Sequence, residues 1–103
     1  MNRKIYWVYI LHCENNAYYT GYTSDLSRRY QEHLQGTAKC KYTRSFKPLK
    51  IAQCWQVFDN KTAMKIEKFI KTMIRIEKDD FIRCPEKLTK LFDCKIGSIS
   101  TIA

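Results

Sequence analysis

The sequence predicts an α+β domain in which helices flank a three-stranded antiparallel sheet, with the elements in the order β-β-α-β-α-α. Two segments near the N-terminus are rich in aromatic and β-branched residues and are separated by turn-forming residues. A third such segment lies between two stretches of helical periodicity. Helices packed on a sheet bury the apolar side chains of both in one core. We therefore expect one domain over residues 1–95 and a short C-terminal tail over residues 96–103.

The first two strands form a predicted hairpin. Residues 7–13 contain no strand-breaking residue, and residues 17–23 return to aromatic and β-forming types. Between them, Glu14-Asn15-Asn16 is typical of a turn, because asparagine tolerates a positive φ. The densest group of tyrosines in the chain lies in the second of these strands.

The length of the turn decides which tyrosines share a face. A three-residue loop would place Cys13 opposite Ala17 and make Tyr9 and Tyr19 diagonal neighbours on one face, roughly 7–8 Å apart. A two-residue turn would put the two tyrosines on opposite faces unless a bulge intervened. The sequence leaves both registers open.

The first predicted helix runs from about Asp25 to Leu34. Thr23 or Ser24 is a suitable N-cap, and the Asp25 carboxylate complements the helix dipole in the first turn. Gly36 is typical of a helix C-terminus. The residues expected to be buried are spaced four apart and are Leu26, Tyr30 and Leu34.

The second half of the chain supplies the remaining elements. Residues 49–58 have strand character, and Asp59-Asn60 caps a second helix. The chain is predicted to be helical again beyond Glu77, with Pro85 suited to a first helical turn. The apolar residues of the second helix recur at helical spacing and are Ala63, Ile66, Phe69, Ile70, Met73 and Ile74.

The charge of the chain indicates a nucleic-acid partner. Lys and Arg number 19 against 10 acidic residues, which gives a formal net charge of +9. Such a surplus attracts phosphate groups whatever the nucleotide sequence. The alternative is a protein that is merely basic and soluble.

The five cysteines argue against a disulfide framework and against a zinc site, because they are odd in number and include no C-x-x-C pair. They fit a reducing cytoplasm, which is where we expect the protein. No apolar run has the roughly 20 residues that span a membrane, and the N-terminus lacks the apolar stretch of a signal peptide. We therefore expect neither a membrane nor an obligate protein partner.

Positive charge is concentrated in the middle of the chain. Residues 24–50 carry seven Lys or Arg against two acidic residues, a balance of 7 − 2 = +5. Within this stretch residues 37–48 show no periodicity, so we predict a basic loop there; the alternative is a solvated loop without a partner. The residues expected to contact nucleic acid are Arg28, Lys39, Lys41, Tyr42, Arg44 and Lys71.

Five segments, taken in order, resemble the GIY-YIG nuclease domain and especially its short stand-alone bacterial members. They are Trp7-Val8-Tyr9, Tyr19-Thr20-Gly21, residues 25–33, residues 41–44 and residues 67–71. The resemblance implies a GIY-YIG type of fold and magnesium-assisted hydrolysis of a DNA phosphodiester. The chain departs from the motif names, because Trp7-Val8 replaces Gly-Ile and Thr20 replaces Ile, while both tyrosines are kept. It also has no asparagine after Asn60, where some members have one near the site.

The resemblance implies a catalytic site formed by Tyr9, Tyr19, Arg29, His33 and Glu67, and we expect these five to converge on one shallow surface. Tyr9 or Tyr19 would take a proton from the attacking water. A phenol ionises near pH 10, so surrounding positive charge would have to lower the pKa of the base. The alternative for each tyrosine is sheet packing. His33 would relay a proton or bind phosphate, or it would only complement the dipole at the helix C-terminus.

Arg29 and Arg28 are expected to have different roles. The family's arginine lies ten positions after the second-motif tyrosine, and this spacing selects Arg29. A guanidinium there can hold the scissile phosphate by two hydrogen bonds. Arg28 points about 100° away around the helix and would contact solvent or the nucleic-acid backbone.

Glu67 is the expected ligand of Mg²⁺, or of Mn²⁺. It lies at the border of the apolar stripe of the second helix, where an unpaired carboxylate is costly. Magnesium keeps most of its waters and needs few protein ligands, so one carboxylate and substrate oxygens can hold it. The alternative is a surface ion pair with Lys71, four residues on.

The functional hypothesis is a metal-dependent endonuclease that hydrolyses DNA phosphodiester bonds. The substrate is left open between duplex, branched, damaged and single-stranded DNA, and RNA is not excluded. The alternative is a non-catalytic basic nucleic-acid-binding module with the same fold. A third hypothesis is a basic protein-interaction domain, whose partner binding would not depend on salt.

Overall fold

A computed structural model describes residues 4–36 and 41–98, apart from the side chains of Lys41 and Arg44. The elements follow the predicted order, with three additions. In chain order they are β1 (Tyr6–Cys13), β2 (Tyr18–Thr23), α1 (Leu26–Gln35), α2 (Lys41–Ser45), β3 (Pro48–Val57), α3 (Asn60–Lys71), α4 (Arg75–Arg83), α5 (Glu86–Thr89) and β4 (Cys94–Ile96).

The described sheet has four antiparallel strands in the order β2-β1-β3-β4, and not the three that we expected. The additional strand, β4, pairs Cys94 with Val57 and Ile96 with Trp55. Three residues are too few to show a period of two, so the sequence pattern does not reveal this strand. The predicted domain boundary after residue 95 falls within β4, and residues 99–103 of the predicted tail lie outside the described residues.

The β1–β2 hairpin has the three-residue loop. The Cys13 N–H donates to the Ala17 carbonyl at 2.9 Å, and the Asn16 N–H donates to the Cys13 carbonyl at 2.9 Å. Asn16 takes the left-handed conformation, with φ 65°, that such a loop requires in its last residue. Tyr9 therefore pairs with Gly21, and Tyr19 is its diagonal neighbour on the same face.

Alternation along β1 gives the sheet two different faces. One, the tyrosine face, carries Tyr9, Leu11 and Cys13 and packs with Leu26 of α1 and with Ile51 and Cys54 of β3. The other, the α3 face, carries Val8, Ile10, Trp55 and Val57 and packs with Ala63, Ile66 and Ile70 of α3 and with Leu88 and Cys94. Side chains at adjacent positions of one strand therefore belong to different sites on the molecule.

The N-cap of α1 is Asp25 and not, as we predicted, Thr23 or Ser24, whereas Gly36 and Asp59 cap α1 and α3 as predicted. The Asp25 carboxylate accepts a hydrogen bond from the Arg28 N–H at 3.1 Å, and Asp59 accepts one from the Thr62 N–H at 2.8 Å. Gly36 closes α1 with φ 68°, and its N–H donates to the carbonyls of Glu32 and His33.

The buried face of α1 differs from the expected one. Leu26 is buried, but Tyr30 and Leu34 are only half-buried, and the second fully buried residue of α1 is His33. The helix thus turns a polar side chain toward the tyrosine face.

Two further expectations for secondary structure need correction. The predicted basic loop contains the one-turn helix α2. A helix of five residues is too short to produce a recognisable apolar period. Helix α3 ends at Lys71, so Ile74, which we placed in its apolar stripe, instead precedes α4 and is exposed.

Four cysteines, Cys13, Cys54, Cys84 and Cys94, are free thiols. Across residues 4–36 and 41–98, no helix has the length and apolar character needed to cross a membrane.

Candidate active site

A buried chain of hydrogen bonds crosses the tyrosine face. The phenol oxygen of Tyr9 lies 2.9 Å from Nε2 of His33, and Nδ1 of His33 lies 2.9 Å from Oγ1 of Thr43. All three side chains are buried. Because both ring nitrogens of His33 have a hydroxyl partner, its burial leaves neither of them without a hydrogen bond. This series of hydrogen bonds thus fixes the position of the Tyr9 phenol from its buried side.

Three separate elements supply this chain. Tyr9 lies in the middle of β1, His33 lies in the last turn of α1, and Thr43 lies in α2. These positions are not related by the regular spacing of a helix or a strand, so the sequence pattern does not group them. They meet because α1 packs on the tyrosine face and α2 packs on α1.

Tyr19 extends the cluster toward solvent. Its ring centroid lies 6.5 Å from that of Tyr9 and 5.0 Å from that of His33, the latter in an edge-on arrangement. Edge-on contacts of this kind are favourable because the positive ring edge meets a negative ring face. Unlike Tyr9, Tyr19 is only half-buried, so part of this residue is accessible to water.

Gly21 is required by the close approach of Tyr9. A Cβ at position 21 would lie 2.6 Å from the phenol oxygen of Tyr9 and 2.8 Å from its Cζ. The side chain of Tyr9 therefore lies directly over the backbone of β2. This contact gives the glycine of the Tyr19-Thr20-Gly21 motif a steric reason.

His33 is neutral at pH 7. The pKa of His33 is lowered from 6.5 to about 4, first by burial and then by the nearby positive charge of Arg29, while Glu32 acts in the opposite direction. A neutral imidazole donates through one nitrogen and accepts through the other. One of the two hydroxyls, that of Tyr9 or that of Thr43, must therefore donate its proton to the ring.

Arg29 lies one turn before His33 on α1. Its Nη1 forms an ion pair with Oε1 of Glu32 at 3.0 Å, and its side chain is 21% exposed. The guanidinium is thus held in place while part of it stays accessible. Arg28, by contrast, is exposed to solvent, as the helix geometry predicts.

Glu67 lies on α3, the helix that covers the α3 face. Its Oε1 is 3.4 Å from Nζ of Lys71, and its side chain is 19% exposed, so the surface ion pair that we gave as the alternative is present. Helix α3 also contacts β2, the edge strand that carries Tyr19. The helix that carries Glu67 and the side chain of Tyr19 therefore belong to opposite sides of the sheet, and both elements meet at β2. The expected convergence thus joins Tyr9, Tyr19, Arg29 and His33 on one side of the sheet, with Glu67 carried by a helix on the other.

The donor set fits magnesium better than a metal held by protein ligands alone. Among the described residues no three His, Cys, Asp or Glu side chains lie together. Glu67 offers a single carboxylate, which is enough for a magnesium ion that keeps its waters and shares oxygens with a phosphate.

The expected nucleic-acid contacts are described only in part. Lys39 lies outside the described residues, as do the side chains of Lys41 and Arg44. Arg28 and Lys71 are exposed to solvent. Tyr42 is exposed and stacks on Tyr19, with ring centroids 5.9 Å apart.

Thr43 and Gly21 are the site residues that our residue-by-residue analysis missed. Thr43 lies between Tyr42 and Arg44 in a segment that we predicted to be a loop, where a threonine is expected to be solvated. Gly21 belongs to the tripeptide Tyr19-Thr20-Gly21, which resembles a GIY-YIG motif. That resemblance was the one sign in the sequence that this glycine belongs to the site. The residue that it accommodates, Tyr9, is twelve positions away.

A protein-family model matches most of the chain. Residues 5–77 match the model of the GIY-YIG catalytic domain. This range contains every residue of the cluster and Glu67.

Several bacterial proteins are similar over most of the chain. A UPF0213 protein of Syntrophus aciditrophicus is 39% identical over 83 residues, which cover 80% of this chain and 95% of the relative. A UPF0213 protein of Listeria welshimeri is 36% identical over 77 residues, covering 75% and 84% of the two chains. The solution NMR structure of a UPF0213 protein from Bacillus halodurans superposes with a TM-score of 0.52 at 34% identity, covering 78% of this chain and 84% of that one.

Proposed function

The chain belongs to the GIY-YIG family, which implies a nuclease that binds nucleic acid, and we propose that it is a metal-dependent endonuclease hydrolysing DNA phosphodiester bonds. The observation that carries the proposal is the buried series of hydrogen bonds from Thr43 through His33 to Tyr9. The ring of Tyr9 in turn lies against the half-buried Tyr19. A chain of satisfied hydrogen bonds in a core holds its last phenol rigidly. Catalytic groups need such a supporting shell.

In the proposed mechanism Tyr19 acts as its phenolate, having released its own proton to solvent, and takes the proton of the attacking water. Tyr19 is favoured over Tyr9 because it is half-buried, whereas Tyr9 is enclosed by Gly21, His33 and the core. Tyr9 and His33 act as positioning residues, since their rings contact the Tyr19 ring from the buried side. Neutral His33 provides no charge of its own to the phosphate.

Arg29 is proposed to hold the phosphate. Its ion pair with Glu32 holds the guanidinium one turn before His33 on α1, and the side chain is partly exposed. A guanidinium can donate two parallel hydrogen bonds to phosphate oxygens and offset the charge that grows on them in the transition state.

Glu67 is proposed to hold Mg²⁺, which Mn²⁺ can replace. When bound, such an ion supplies a positive charge that stabilises the leaving oxygen. Glu67 has to exchange its partner Lys71 for the ion, which is feasible because exposed ion pairs of this spacing contribute only a few tenths of a kcal/mol.

The placement of Glu67 favours a second candidate, a nucleic-acid-binding module with the same fold that does not cleave. Its carboxylate is paired with Lys71 on the helix that covers the α3 face. If it stays there when nucleic acid binds, the cluster on the tyrosine face has no metal ligand.

A cleavage assay separates the two candidates. Single-stranded, duplex, branched and abasic DNA, together with RNA, would be incubated with the full chain in Mg²⁺, in Mn²⁺ and in EDTA. The endonuclease predicts metal-dependent cleavage that Glu67→Gln and Tyr19→Phe abolish, while Glu86→Gln, an exposed glutamate on α5, retains it. Binding by the wild type and Glu67→Gln with no cleavage by either protein would establish the binding module.

A further inference from the structure

The aromatic cluster continues from the candidate site to the surface. The ring of Tyr42 stacks on Tyr19 at a centroid distance of 5.9 Å and an interplanar angle of 26°. The ring of Phe46 follows Tyr42 at 5.4 Å. Exposure increases along this series, from buried His33 through half-buried Tyr19 to Tyr42 and Phe46, which are 37% and 39% exposed. We call Tyr42 and Phe46 together the aromatic step.

The aromatic step is fixed in place by polar contacts. The Tyr42 hydroxyl accepts a hydrogen bond from Nδ2 of Asn15 at 2.9 Å, which ties the ring to the hairpin loop. Just after Phe46, the Lys47 N–H donates to the Glu14 carboxylate and the Glu14 N–H donates to the Lys47 carbonyl, each at 2.9 Å. Three hydrogen bonds therefore hold the segment that carries the two rings at the edge of the site before any ligand binds. A preorganised surface loses little side-chain entropy on binding.

We infer that the aromatic step binds an unpaired nucleic-acid base, so that the preferred substrate has a single-stranded or otherwise unstacked nucleotide beside the scissile bond. This inference rests on the proposed function and names the substrate class for it. Bases stack on exposed aromatic rings whatever their identity, and each such contact contributes substantially to single-strand binding. In a regular duplex both faces of a base are already occupied by neighbouring bases, so a ring has no free face to meet.

The surroundings of the aromatic step favour nucleic acid over an apolar partner. Lys47 and Lys50 are exposed directly after Phe46, and the chain carries a net charge of +9. Positive groups beside stacking rings are the usual composition of single-strand binding surfaces. The step is also continuous with Tyr19, so a strand whose base stacks on Tyr42 or Phe46 brings its backbone to the phenol that is proposed as the base.

Binding measurements in EDTA test the inference without depending on cleavage. The affinity of the full chain for a short labelled single strand and for a blunt duplex of the same sequence would be measured by fluorescence anisotropy. Phe46→Ala should weaken single-strand binding about tenfold, as expected for a lost stacking contact, and leave duplex binding nearly unchanged. Phe46→Tyr keeps the ring and should bind like the wild type.

Leu49→Ala is the matched control. Leu49 is 60% exposed and lies three residues from Phe46, so this variant removes apolar surface from the same region without removing a ring. It should bind both nucleic acids like the wild type. A strand with 2-aminopurine should in addition show quenched fluorescence with the wild type and Leu49→Ala, but less with Phe46→Ala.

Three results would overturn the inference. They are unchanged single-strand affinity in Phe46→Ala, equal losses for single strand and duplex, and failure of the wild type to bind the single strand at low salt. The selective loss in Phe46→Ala without cleavage of any substrate would support the aromatic step and reject the endonuclease. Metal-dependent cleavage with no effect of Phe46→Ala on single-strand binding would support the endonuclease and reject the aromatic step.

Discussion

The phenol oxygen of Tyr9 and Nε2 of His33 lie 2.9 Å apart, although 24 residues separate them in the chain. Both side chains are buried, so the bond forms where water cannot replace it. The two residues come from β1 and α1, and their hydrogen bond therefore joins the centre of the sheet to the helix that carries Arg29. Any change that alters this bond is expected to affect the geometry of the site and the stability of the fold together.

The stability of the protein should fall between about pH 6.5 and pH 4 because of His33. Its pKa is about 4 in the folded protein and 6.5 in ordinary surroundings, so the unfolded chain binds the extra proton first as pH falls. The contribution of neutral His33 is complete above pH 6.5 and is lost as pH falls toward 4. The full difference corresponds to about 3 kcal/mol in the free energy of unfolding. Urea unfolding at a series of pH values measures it.

His33→Gln provides the comparison, because glutamine does not titrate. The difference in unfolding free energy between wild type and variant should shrink as pH falls through this range. A direct check in the wild-type protein is the NMR titration of the His33 ring, whose midpoint should lie well below 6.5. A midpoint at or above 6.5 would show that the imidazole is not buried as described.

Gly21→Ala should disrupt the position of Tyr9. The added Cβ would lie 2.6 Å from the phenol oxygen, and the enclosed ring has little room to move away. Overpacking of this kind costs about 1–3 kcal/mol, and we expect cleavage to fall with it because the phenol leaves His33. Unfolding in urea and the cleavage rate at a temperature where the variant is folded measure the two effects.

Gly97→Ala is the matched steric control. A Cβ there would lie 2.6 Å from Sγ of Cys54 and 2.8 Å from Cζ3 of Trp7, and not against the phenol oxygen of Tyr9. It should lose comparable stability and keep most of the activity of the folded protein. Equal losses of activity in the two variants would mean that stability alone controls the rate.

The sequence predicts those parts of the fold that depend on neighbouring residues. The caps at Gly36 and Asp59 are confirmed, because they follow from short-range hydrogen bonding and a single left-handed residue. The N-cap of α1 lies at Asp25, one or two residues later than predicted, because several neighbouring polar side chains can fill that role. The hairpin register was open because it depends on the conformation of one residue, Asn16, which can adopt either of two turns.

The candidate site is less predictable because it depends on contacts between distant elements. His33 carries a polar side chain, and its complete burial follows only from having Tyr9 and Thr43 as partners on its two nitrogens. Neither partner lies at a helical or strand spacing from it. The placement of α3, the helix that carries Glu67, likewise follows from its packing on Val8 and Ile10, which the alternation of β1 permits but the sequence alone does not select.

Arg29→Ala should reduce cleavage by about two orders of magnitude or more, the usual cost of removing one preorganised charge contact in a transition state. Arg28→Ala, which removes an exposed arginine from the next position, should retain most activity. A second readout does not depend on catalysis. Because the charge of Arg29 lowers the pKa of His33, the His33 titration should move to higher pH in Arg29→Ala and stay in place in Arg28→Ala. An inactive Arg28→Ala with an active Arg29→Ala would reverse the assignment.

Two threonine-to-valine substitutions should change stability in opposite directions. Within the described residues, the buried hydroxyl of Thr20 has no hydrogen-bond partner, whereas that of Thr43 lies 2.9 Å from His33. Thr20→Val replaces an unpaired hydroxyl with a methyl group at a position where the GIY-YIG motif has isoleucine, and should raise the free energy of unfolding by about 1 kcal/mol. Thr43→Val leaves Nδ1 of His33 buried without its partner and should lower the free energy of unfolding by about 1–3 kcal/mol.

Thr43→Ser tests whether the hydroxyl of Thr43 is the cause. It keeps the hydrogen bond to His33 while losing a methyl group, so the NMR signals of the His33 ring should stay close to those of the wild type, whereas Thr43→Val should shift them. Since the Thr20 hydroxyl is on the α3 face, Thr20→Val should leave the His33 signals unchanged. Destabilisation by both valine substitutions would mean that the Thr20 hydroxyl has a partner in solution. If the NMR signals of the His33 ring do not shift in Thr43→Val, Thr43 is not part of the hydrogen-bond series that positions Tyr9.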